Sequence, residues 1–299
     1  MEDNGKFDVI IIGGSYAGLS AAMGLGRARR NVLIIDSGDP CNKQTPHSHN
    51  FLTRDGSTPA EITAEARRQA LNYPTIKLIQ DKVSAARGEN NNFTVSTDSG
   101  LTFLAKKILF ATGIQDKMPE IEGFAACWGI SAIHCPYCHG YEYSDEVTGI
   151  LINGETALEF SRLIKNWTND LTIFTNGQST ISKEHRDQLD LLGINVIEKE
   201  ISKIEHQKGY MNALTFSDGN VMPLIALYAR LPFKQHCTLP EELGCEFTEA
   251  GHIVIDNFQK TNVSGVYAAG DNSIQMRSVA AAVAAGTMSA AFINHELLL

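Results

Sequence analysis

The stretch from Phe7 to Asp36, FDVIIIGGSYAGLSAAMGLGRARRNVLIID, decides the fold of the first part of the chain. Phe7 to Ile12 is an apolar run, which is typical of a buried parallel strand. A glycine-containing turn follows, and Leu19 to Arg29 is rich in alanine, leucine and methionine, which predicts a helix. Asn31 to Ile35 is a second apolar run. This order predicts a βαβ unit of about 30 residues.

The turn after the first strand has the spacing of a dinucleotide-binding loop. Gly13 and Gly18 stand at the first and third glycine positions, which allow a tight turn and close packing of the helix on the strand. Ser15 occupies the second position, so the fingerprint is imperfect. Phosphates are expected at the N-terminus of the next helix, where backbone N–H groups are free. Asp36 ends the second strand, where its carboxylate is placed to accept hydrogen bonds from a ribose.

Two later segments support a nucleotide site. Lys107 to Ala111 (KILFA) is a predicted buried strand that runs into Thr112 and Gly113. Thr261 is followed, after six residues, by Ala268-Ala269-Gly270-Asp271. A single degenerate glycine turn is weak evidence for a nucleotide, and these two segments strengthen it.

A second βαβ unit begins at Val147 to Asn153 and continues with a strand at Leu171 to Phe174. Shorter strands are predicted at Leu101 to Leu104 and within Gly244 to Ile255. The fold class is therefore α/β, with two Rossmann-like dinucleotide-binding domains of the three-layer ββα kind, the second inserted into the first. The predicted boundaries are 1–117 with 244–299 for the first domain, and 118–243 for the inserted domain.

The inserted domain carries the sequence His134-Cys135-Pro136-Tyr137-Cys138-His139. Two cysteines separated by two residues can close a small disulfide ring, and their thiolates can exchange with other disulfides. A flanking histidine can take a proton from an attacking thiol or give one to a leaving thiol. We therefore predict a redox pair, Cys135 and Cys138, with His139 as the first choice of base and His134 as the second.

Three other interpretations of this segment are open. A CxxCH pattern also attaches c-type haem, but that chemistry belongs to exported proteins, and we find no export signal in the sequence. The two cysteines and two histidines could hold zinc, although structural zinc sites usually take ligands from two separated pairs. The pair could also form a purely structural disulfide. We predict no metal.

The composition and the charge of the chain argue against some classes of function. The chain has 299 residues, enough for two domains, and a net charge of −9, which argues against non-specific nucleic-acid binding. The longest apolar stretch, Val279 to Ile293, is too short and too interrupted for a membrane span. A cytoplasmic location is expected. The other four cysteines are expected to be buried or inert.

The three nucleotide-binding segments resemble those of the two-dinucleotide-domain flavoproteins. The resemblance implies FAD as the cofactor and places Asp271 on its ribityl chain, with Ser278, Val279 and Ala280 near the flavin ring. The cofactor-binding residues expected on this basis are Gly13, Gly14, Ser15, Tyr16, Ala17, Gly18, Asp36, Ser37, His49, Val83, Ala111, Thr112, Gly113, Gly270, Asp271, Ser278, Val279 and Ala280.

The position of the CxxC pair resembles that of the low-molecular-weight thioredoxin reductases, and the resemblance covers nearly the whole chain. It implies a homodimer in which Cys138 is the flavin-proximal thiol and Cys135 attacks the substrate. The second dinucleotide loop departs from that family, because Ile152 replaces the turn glycine of Ile152-Asn153-Gly154-Glu155-Thr156-Ala157. No acidic residue follows the next strand, so NAD(P)H binding of the ordinary kind is not expected.

The segments GGSYAG, DSG, HSHNFL and CPYCHG, which begin at Gly13, Asp36, His47 and Cys135, are similar to a narrower branch. That branch contains the FAD-dependent dithiol oxidases of gliotoxin and holomycin formation, which pass electrons from a dithiol through flavin to oxygen. By this resemblance His49 lies near the flavin or its ribityl chain; the alternative is that His47 and His49 are ordinary loop histidines.

We therefore predict an FAD-dependent thiol–disulfide oxidoreductase, with dithiol oxidation as the first hypothesis. One alternative is a thioredoxin or disulfide reductase with a non-standard electron donor, such as NADH, weakly bound NADPH or a ferredoxin. Another is a flavin-binding redox sensor that turns over little. The expected partner is a small dithiol or disulfide, or a thioredoxin-like protein.

Overall fold

A computed structural model describes residues 5–299. The elements, in chain order, are β1 (Lys6–Ile12), α1 (Tyr16–Arg27), β2 (Val32–Asp36), α2 (Pro59–Leu71), β3 (Ile76–Gln80), β4 (Val83–Glu89), β5 (Asn92–Thr97), β6 (Thr102–Phe110), β7 (Ile114–Asp116), α3 (Phe124–Cys127), β8 (Ala132–Ile133), α4 (Pro136–His139), β9 (Thr148–Leu151), α5 (Ala157–Ile164), β10 (Leu171–Phe174), α6 (Lys183–Leu191), β11 (Asn195–Ile197), β12 (Ile201–Gln207), β13 (Tyr210–Phe216), β14 (Val221–Pro223), β15 (Ala226–Ala229), β16 (Phe233–Gln235), α7 (Leu239–Glu242), β17 (Val266–Ala268) and α8 (Val279–Glu296).

The chain divides into two compact units. Unit 1 holds the described residues up to 43, together with 59–115 and 233–299, and unit 2 holds 44–58 and 116–232. The boundaries differ from the predicted ones at three places, the smallest of which is the end of the second segment of unit 1 at 115 rather than 117. Residues 44–58 leave unit 1, and there the Gln44 side-chain amide donates to the Trp128 carbonyl of unit 2. The return to unit 1 comes at 233 rather than 244, because Phe233–Gln235 (β16) pairs with β7.

Unit 1 is built on a seven-stranded sheet with the order β3-β2-β1-β6-β5-β4, and β17 also pairs with β6. The strands β3, β2, β1, β6 and β17 are parallel, whereas β4, β5 and the start of β6 form an antiparallel meander. Both faces of β1 are covered, because Val9 and Ile11 pack with the helices while Ile10 packs with the meander. This explains why the strand sequence is apolar throughout rather than alternating.

Helices α1 and α8 cover one face of this sheet and approach each other closely. A Cβ at Gly286 would lie 2.1 Å from the carbonyl oxygen of Ala17, so only glycine fits there. The Ser278 hydroxyl caps α8 by accepting from the Ala281 amide at 3.1 Å. Within the part of the chain that the structure describes, no helix is long and apolar enough to cross a membrane.

Unit 2 contains a five-stranded parallel sheet of order β11-β10-β9-β15-β8 and a three-stranded antiparallel sheet of order β12-β13-β14. The second βαβ unit is therefore confirmed, and its strand β10 has the predicted bounds.

Two short-strand predictions, both in unit 1, are wrong. The strands predicted at 101–104 and 107–111 are one strand, β6, and residues 244–255 contain an isolated bridge, Phe247 to Ile253, rather than a ladder.

The long strand β6 contains a buried lysine, which explains why its sequence looks interrupted. The Lys107 side chain is 1% exposed, and its ammonium group donates to Glu296 at 2.7 Å and to Asn90 at 2.5 Å. Tyr267 and Lys260 also donate to the Glu296 carboxylate. A charged lysine is tolerated inside the strand because this carboxylate compensates its charge.

We expect E296Q to lower the free energy of unfolding by about 3 kcal/mol, since it leaves a buried ammonium group without its counter-charge. Burial raises the pKa of Glu296, but the hydrogen bonds from Lys107, Tyr267 and Lys260 outweigh it and lower the pKa to about 2. The stabilisation is thus complete above the unfolded pKa of about 4.3 and is lost as the pH falls toward 2.

Urea unfolding at pH 7 and at pH 3 measures both effects. The control is E249Q, because Glu249 is exposed. A loss at Glu296 no larger than that at Glu249 would contradict the role of this cluster.

Candidate active site

The glycine turn of unit 1 depends on the absence of two side chains. Gly13 has φ +107°, and a Cβ there would lie 2.2 Å from the carbonyl oxygen of Ala111. A Cβ at Gly18 would lie 2.0 Å from the carbonyl oxygen of Gly13. These close approaches hold the N-terminus of α1 beside the carboxyl ends of β1 and β6, where helix N–H groups are available to an anion.

Asp36 lies beside this turn, as the sequence predicts. Its Oδ1 accepts a hydrogen bond from the Gly14 amide at 3.0 Å, and Arg67 donates to its Oδ2 at 3.2 Å. Arg67 was not predicted, because it stands on α2 with no local motif around it. The arginine brings a positive charge to the edge of the site and orients the carboxylate.

A cavity of about 820 Å³ opens at this turn. Eight of the predicted cofactor residues line it, namely Gly13, Gly14, Ser15, Asp36, Ser37, Val83, Ala111 and Thr112. Cationic side chains that were not predicted also line it, namely Lys43, Arg67, Arg68 and Lys82. This lining fits an adenine dinucleotide. The glycines admit a close backbone approach, the basic groups can pair with phosphates, and the carboxylate is placed to bind a ribose.

The remaining predicted cofactor residues lie outside the lining of this cavity, namely Tyr16, Ala17, Gly18, His49, Gly113, Gly270, Asp271, Ser278, Val279 and Ala280. Gly270 lies two residues after β17 and has φ +92°, and the Asp271 carboxylate lies 3.6 Å from the Arg277 guanidinium. Asn272, which was not predicted, is fully buried and donates to the Phe110 carbonyl at 2.9 Å. That bond ties the Gly270–Asp271 turn to the end of β6.

Cys135 and Cys138 of unit 2 lie together, with their sulfur atoms 2.7 Å apart. Cys135 is the N-cap of the short helix α4, and Pro136 takes its first position, which suits a residue with no N–H. Both cysteines are partly exposed, so an external thiol can reach the pair. Of the other cysteines, Cys127 and Cys245 are buried, Cys237 is half-buried and Cys41 is exposed, so for Cys41 the prediction of an inert thiol stays a prediction.

Two histidines lie close to the pair, and a third interacts with one of them. Burial, aided by the nearby His49, lowers the pKa of His139 to about 4, so this imidazole is neutral at ordinary pH and can accept a proton. His134 lies with its ring 6.0 Å from the Trp128 ring. His49 belongs to the 44–58 segment of unit 2, where its ring nitrogens lie 3.4 Å from Glu142 and 3.7 Å from Asp55.

The second dinucleotide loop is closed by its own side chains. Asn153 Oδ1 accepts from the Gly154 amide at 2.9 Å and from the Thr180 amide at 2.8 Å. The Glu155 carboxylate accepts from the Ser182 amide at 3.1 Å and lies 2.9 Å from His185 Nδ1. An acidic group therefore stands just before helix α5, in the loop that holds phosphates in a working fingerprint.

Comparison with known families agrees with this geometry. The family described as pyridine nucleotide-disulphide oxidoreductase matches residues 7–286. The chain belongs to this family. The oxidoreductase is also 31% identical to thioredoxin reductase tcpT of Claviceps purpurea, with 100% of this chain and 96% of the relative covered.

Two solved structures share the fold of the oxidoreductase. An oxidoreductase from Agrobacterium tumefaciens is 38% identical with a TM-score of 0.91, over 98% of this chain and 99% of that one. The structure of HlmI is 30% identical with a TM-score of 0.92, over 100% of this chain and 94% of that one. The predicted family and the predicted fold class are thereby confirmed.

The oxidoreductase is an FAD-dependent enzyme, as its family and its cavity both indicate. When bound, FAD supplies a centre that takes up two electrons from a dithiol and hands them on. The residues of unit 1 that would hold it are those of the glycine turn, Asp36 and the basic lining. The histidine-flanked pair of unit 2 is the candidate for the disulfide chemistry of this family.

His139 gives a prediction for this enzyme. We expect H139Q to slow dithiol-dependent flavin reduction by about 10²- to 10⁴-fold, the range for loss of a general base. In the unmodified enzyme the rate should fall as the pH drops through about 4, where His139 becomes protonated. Anaerobic stopped-flow absorbance measures both.

The matched control is H47Q, because His47 is an exposed histidine that bonds only a backbone carbonyl, Gly56 O, at 2.9 Å. Equal effects of H139Q and H47Q would contradict the assignment of His139 as the base.

Proposed function

We propose that this protein is an FAD-dependent dithiol oxidase that converts a small dithiol into a disulfide through Cys135 and Cys138. The observation that carries the proposal is the closure of the second dinucleotide loop by Asn153 and Glu155. A nicotinamide dinucleotide would have to displace those hydrogen bonds and bring its phosphates beside a carboxylate, which electrostatic repulsion opposes. Electrons therefore enter from the dithiol.

The chemistry begins at the first cysteine. A substrate thiolate, deprotonated with the help of His139, attacks Cys135 Sγ. The Cys135–Cys138 bond breaks, and its electron pair stays on Cys138 as a thiolate. The second substrate thiolate then attacks the substrate sulfur of the mixed disulfide, so that the substrate leaves as a disulfide and Cys135 is released as a thiolate. Two electrons have moved from the substrate to the cysteine pair.

Electrons leave the pair through Cys138, the thiol that the family resemblance makes proximal to the flavin. Oxygen is the proposed final acceptor. His139 accepts the proton released by the substrate and passes it to solvent, because burial lowers its pKa to about 4 and so restores the neutral imidazole for the next turnover. The proposed substrate is a small dithiol, because one sulfur of the molecule attacks Cys135 and the other then displaces Cys135 from the mixed disulfide.

Anaerobic titration of the yellow protein tests this proposal. We expect that NADPH and NADH leave the flavin absorbance near about 450 nm unchanged, while dithiothreitol bleaches it and air restores it. Oxygen uptake should then match the dithiol consumed. Rapid bleaching by either nucleotide would overturn the oxidase proposal in favour of a reductase, and a purified protein that holds no flavin even when supplied with FAD would overturn both.

The second candidate is a disulfide reductase with a non-standard donor. It is favoured by the relative from Claviceps purpurea, which is named a thioredoxin reductase. Reduction of a disulfide substrate by enzyme pre-reduced with dithionite, together with slow reaction with oxygen, would support it. Bleaching without turnover of any thiol or disulfide would instead support a redox sensor.

We also propose a homodimer on the resemblance to the thioredoxin reductases. Light scattering coupled to size-exclusion chromatography tests it, since the chain mass of 32.6 kDa would double. A single species of monomer mass at micromolar concentration would contradict this proposal.

A further inference from the structure

Tyr228 is a buried tyrosine whose hydroxyl has no evident structural purpose. It stands in β15, and its side chain is 1% exposed. The ring packs edge-on against Phe160, with centroids 6.3 Å apart. The hydroxyl oxygen is buried and has no hydrogen-bond partner among the residues that the structure describes. Burial of an unpaired hydroxyl costs stability, and phenylalanine would fill the same space without that cost.

The sheet of unit 2 places this hydroxyl on the same side as Cys135. Strand β15 pairs in parallel with β8, and Tyr228 is registered opposite Ile133. Residues paired in this way share a face, and both belong to the same buried cluster. Cys135 lies two residues beyond Ile133, and its own backbone is extended, with φ −120° and ψ 113°. Since side chains alternate along extended chain, Cys135 projects to the face of Ile133 and Tyr228.

His134 supports this alternation, because it lies between these positions and points elsewhere. Its ring lies 6.0 Å from the ring of Trp128, and Trp128 belongs to the cluster on the opposite side of the sheet. The side chains of these two neighbouring residues therefore point in different directions, that of His134 toward Trp128 and that of Cys135 toward Tyr228.

Electrostatics agrees with this placement. Burial raises the pKa of Tyr228, and negative charge on Cys135, Glu142 and Tyr143 raises it further. A charge on Cys135 is therefore felt at the tyrosine oxygen. The hydroxyl also stays protonated at any working pH, so it can only give a hydrogen bond to an anion.

We propose that the Tyr228 hydroxyl is the hydrogen-bond donor that stabilises the Cys135 thiolate, a role that rests on the proposed thiol–disulfide chemistry. This hydrogen bond acts in the second exchange, in which the second substrate thiolate attacks the mixed disulfide. The new substrate S–S bond forms, the bond between the substrate sulfur and Cys135 breaks, and the electron pair stays on Cys135. The Tyr228 O–H donates to that thiolate, and its proton remains on oxygen. In the reverse direction the same bond holds Cys135 as the attacking thiolate.

The test compares Y228F with Y143F. Tyr143 is the control, because it is a partly buried tyrosine of unit 2 whose hydroxyl does have a partner: it donates to the Ile130 carbonyl at 3.0 Å. Thermal unfolding of the FAD-loaded enzyme should show Y143F less stable than the unmodified protein, since a carbonyl loses its partner. Y228F should be equally stable or more stable, since it removes an unpaired hydroxyl.

The rates of reduction should show the opposite order, with Y228F impaired and Y143F nearly unaffected. Anaerobic reduction by dithiothreitol should be about 10- to 100-fold slower in Y228F, the factor that corresponds to one hydrogen bond to a charged group, and nearly unchanged in Y143F. In the reduced enzyme, alkylation of Cys135 by iodoacetamide, located by mass spectrometry, should shift to higher pH by about one unit in Y228F. A merely structural role would leave that alkylation profile in place.

The outcomes separate cleanly. Y228F rates within about twofold of the unmodified enzyme, or a slower rate with an unshifted alkylation profile, would overturn the donor role. A loss of stability in Y228F equal to that in Y143F would also overturn it, because the hydroxyl would then serve the fold. If the unmodified enzyme is not reduced by a dithiol, the proposed oxidase fails, and the alkylation profile still decides the role of Tyr228.

Discussion

Replacing Cys138 by serine should abolish reduction of the flavin by dithiols, with a loss of about 10³-fold or more, the order expected when a covalent centre is removed. The sulfur atoms of Cys135 and Cys138 lie 2.7 Å apart, so a single disulfide bond between them can undergo the whole exchange with the substrate. With serine at 138 no disulfide can form within the pair, and no thiolate stands at position 138, from which electrons are proposed to pass to the flavin. Stopped-flow absorbance under anaerobic conditions measures the loss.

The two cysteines should differ in what they trap. In C138S the remaining Cys135 should attack a substrate disulfide and hold it as a stable mixed disulfide, since Cys138 is absent to resolve it. In C135S no such adduct should accumulate. Intact-protein mass spectrometry before and after reductant distinguishes the two. Accumulation in C135S instead would reverse the roles inferred from the family resemblance.

Cys41→Ser is the control for both variants, because Cys41 is exposed and lies outside the pair. We expect C41S to keep the unmodified rate and to form no substrate adduct under the same conditions. Persistent dithiol-dependent bleaching in C138S, within about tenfold of the control, would show that electrons reach the flavin without the pair.

Gly13→Ala should yield protein without FAD. The added Cβ would lie 2.2 Å from the Ala111 carbonyl, and the φ of +107° is one that side chains rarely adopt. The contact is with backbone just beyond the end of β6, which cannot yield as a flexible side chain would, so the turn must move away from the position that admits a pyrophosphate. Each 1.4 kcal/mol of this strain weakens binding about tenfold, and we expect at least about 100-fold weaker binding.

Gly177→Ala is the matched control for this variant. Gly177 has a similar φ of +122°, but nothing lies within 4 Å of the position of its Cβ. The control therefore carries the backbone strain without the clash, and it should purify with a full complement of flavin. The ratio of absorbance near about 450 nm to that near about 280 nm, together with titration of apoprotein with FAD, measures the difference.

Asp36→Asn tests the same site without disturbing the turn, in case Gly13→Ala does not fold. The amide can still accept from Gly14 but loses the charge that pairs with Arg67, and with it the anionic acceptor that we propose for the ribose. We expect about 10- to 100-fold weaker FAD binding, as for one charge-assisted hydrogen bond. Full FAD affinity in D36N would contradict the assignment of this carboxylate to the cofactor.

Local patterns in the sequence were enough for the parts of this protein that depend on neighbours along the chain. The run from Phe7 to Ile12 predicted a strand buried on both faces, and the structure has it. The glycine spacing predicted the turn, because a close backbone approach requires glycine in any chain that makes it. The CxxC spacing predicted that Cys135 and Cys138 meet, since three residues cannot carry them far apart.

The tertiary structure alone decided which distant residues serve these local motifs. Arg67 reaches Asp36 only because α2 packs beside the sheet, and residues 44–58 bring His49 to Glu142 across almost a hundred positions. The unbroken strand β6 exists because Glu296 compensates Lys107, which no window around the lysine contains. Tyr228 stands opposite Ile133, two residues before Cys135, because of a strand register. A short motif reflects the conformational requirements of its own backbone. Burial, charge compensation and register depend instead on where the sheet places its strands.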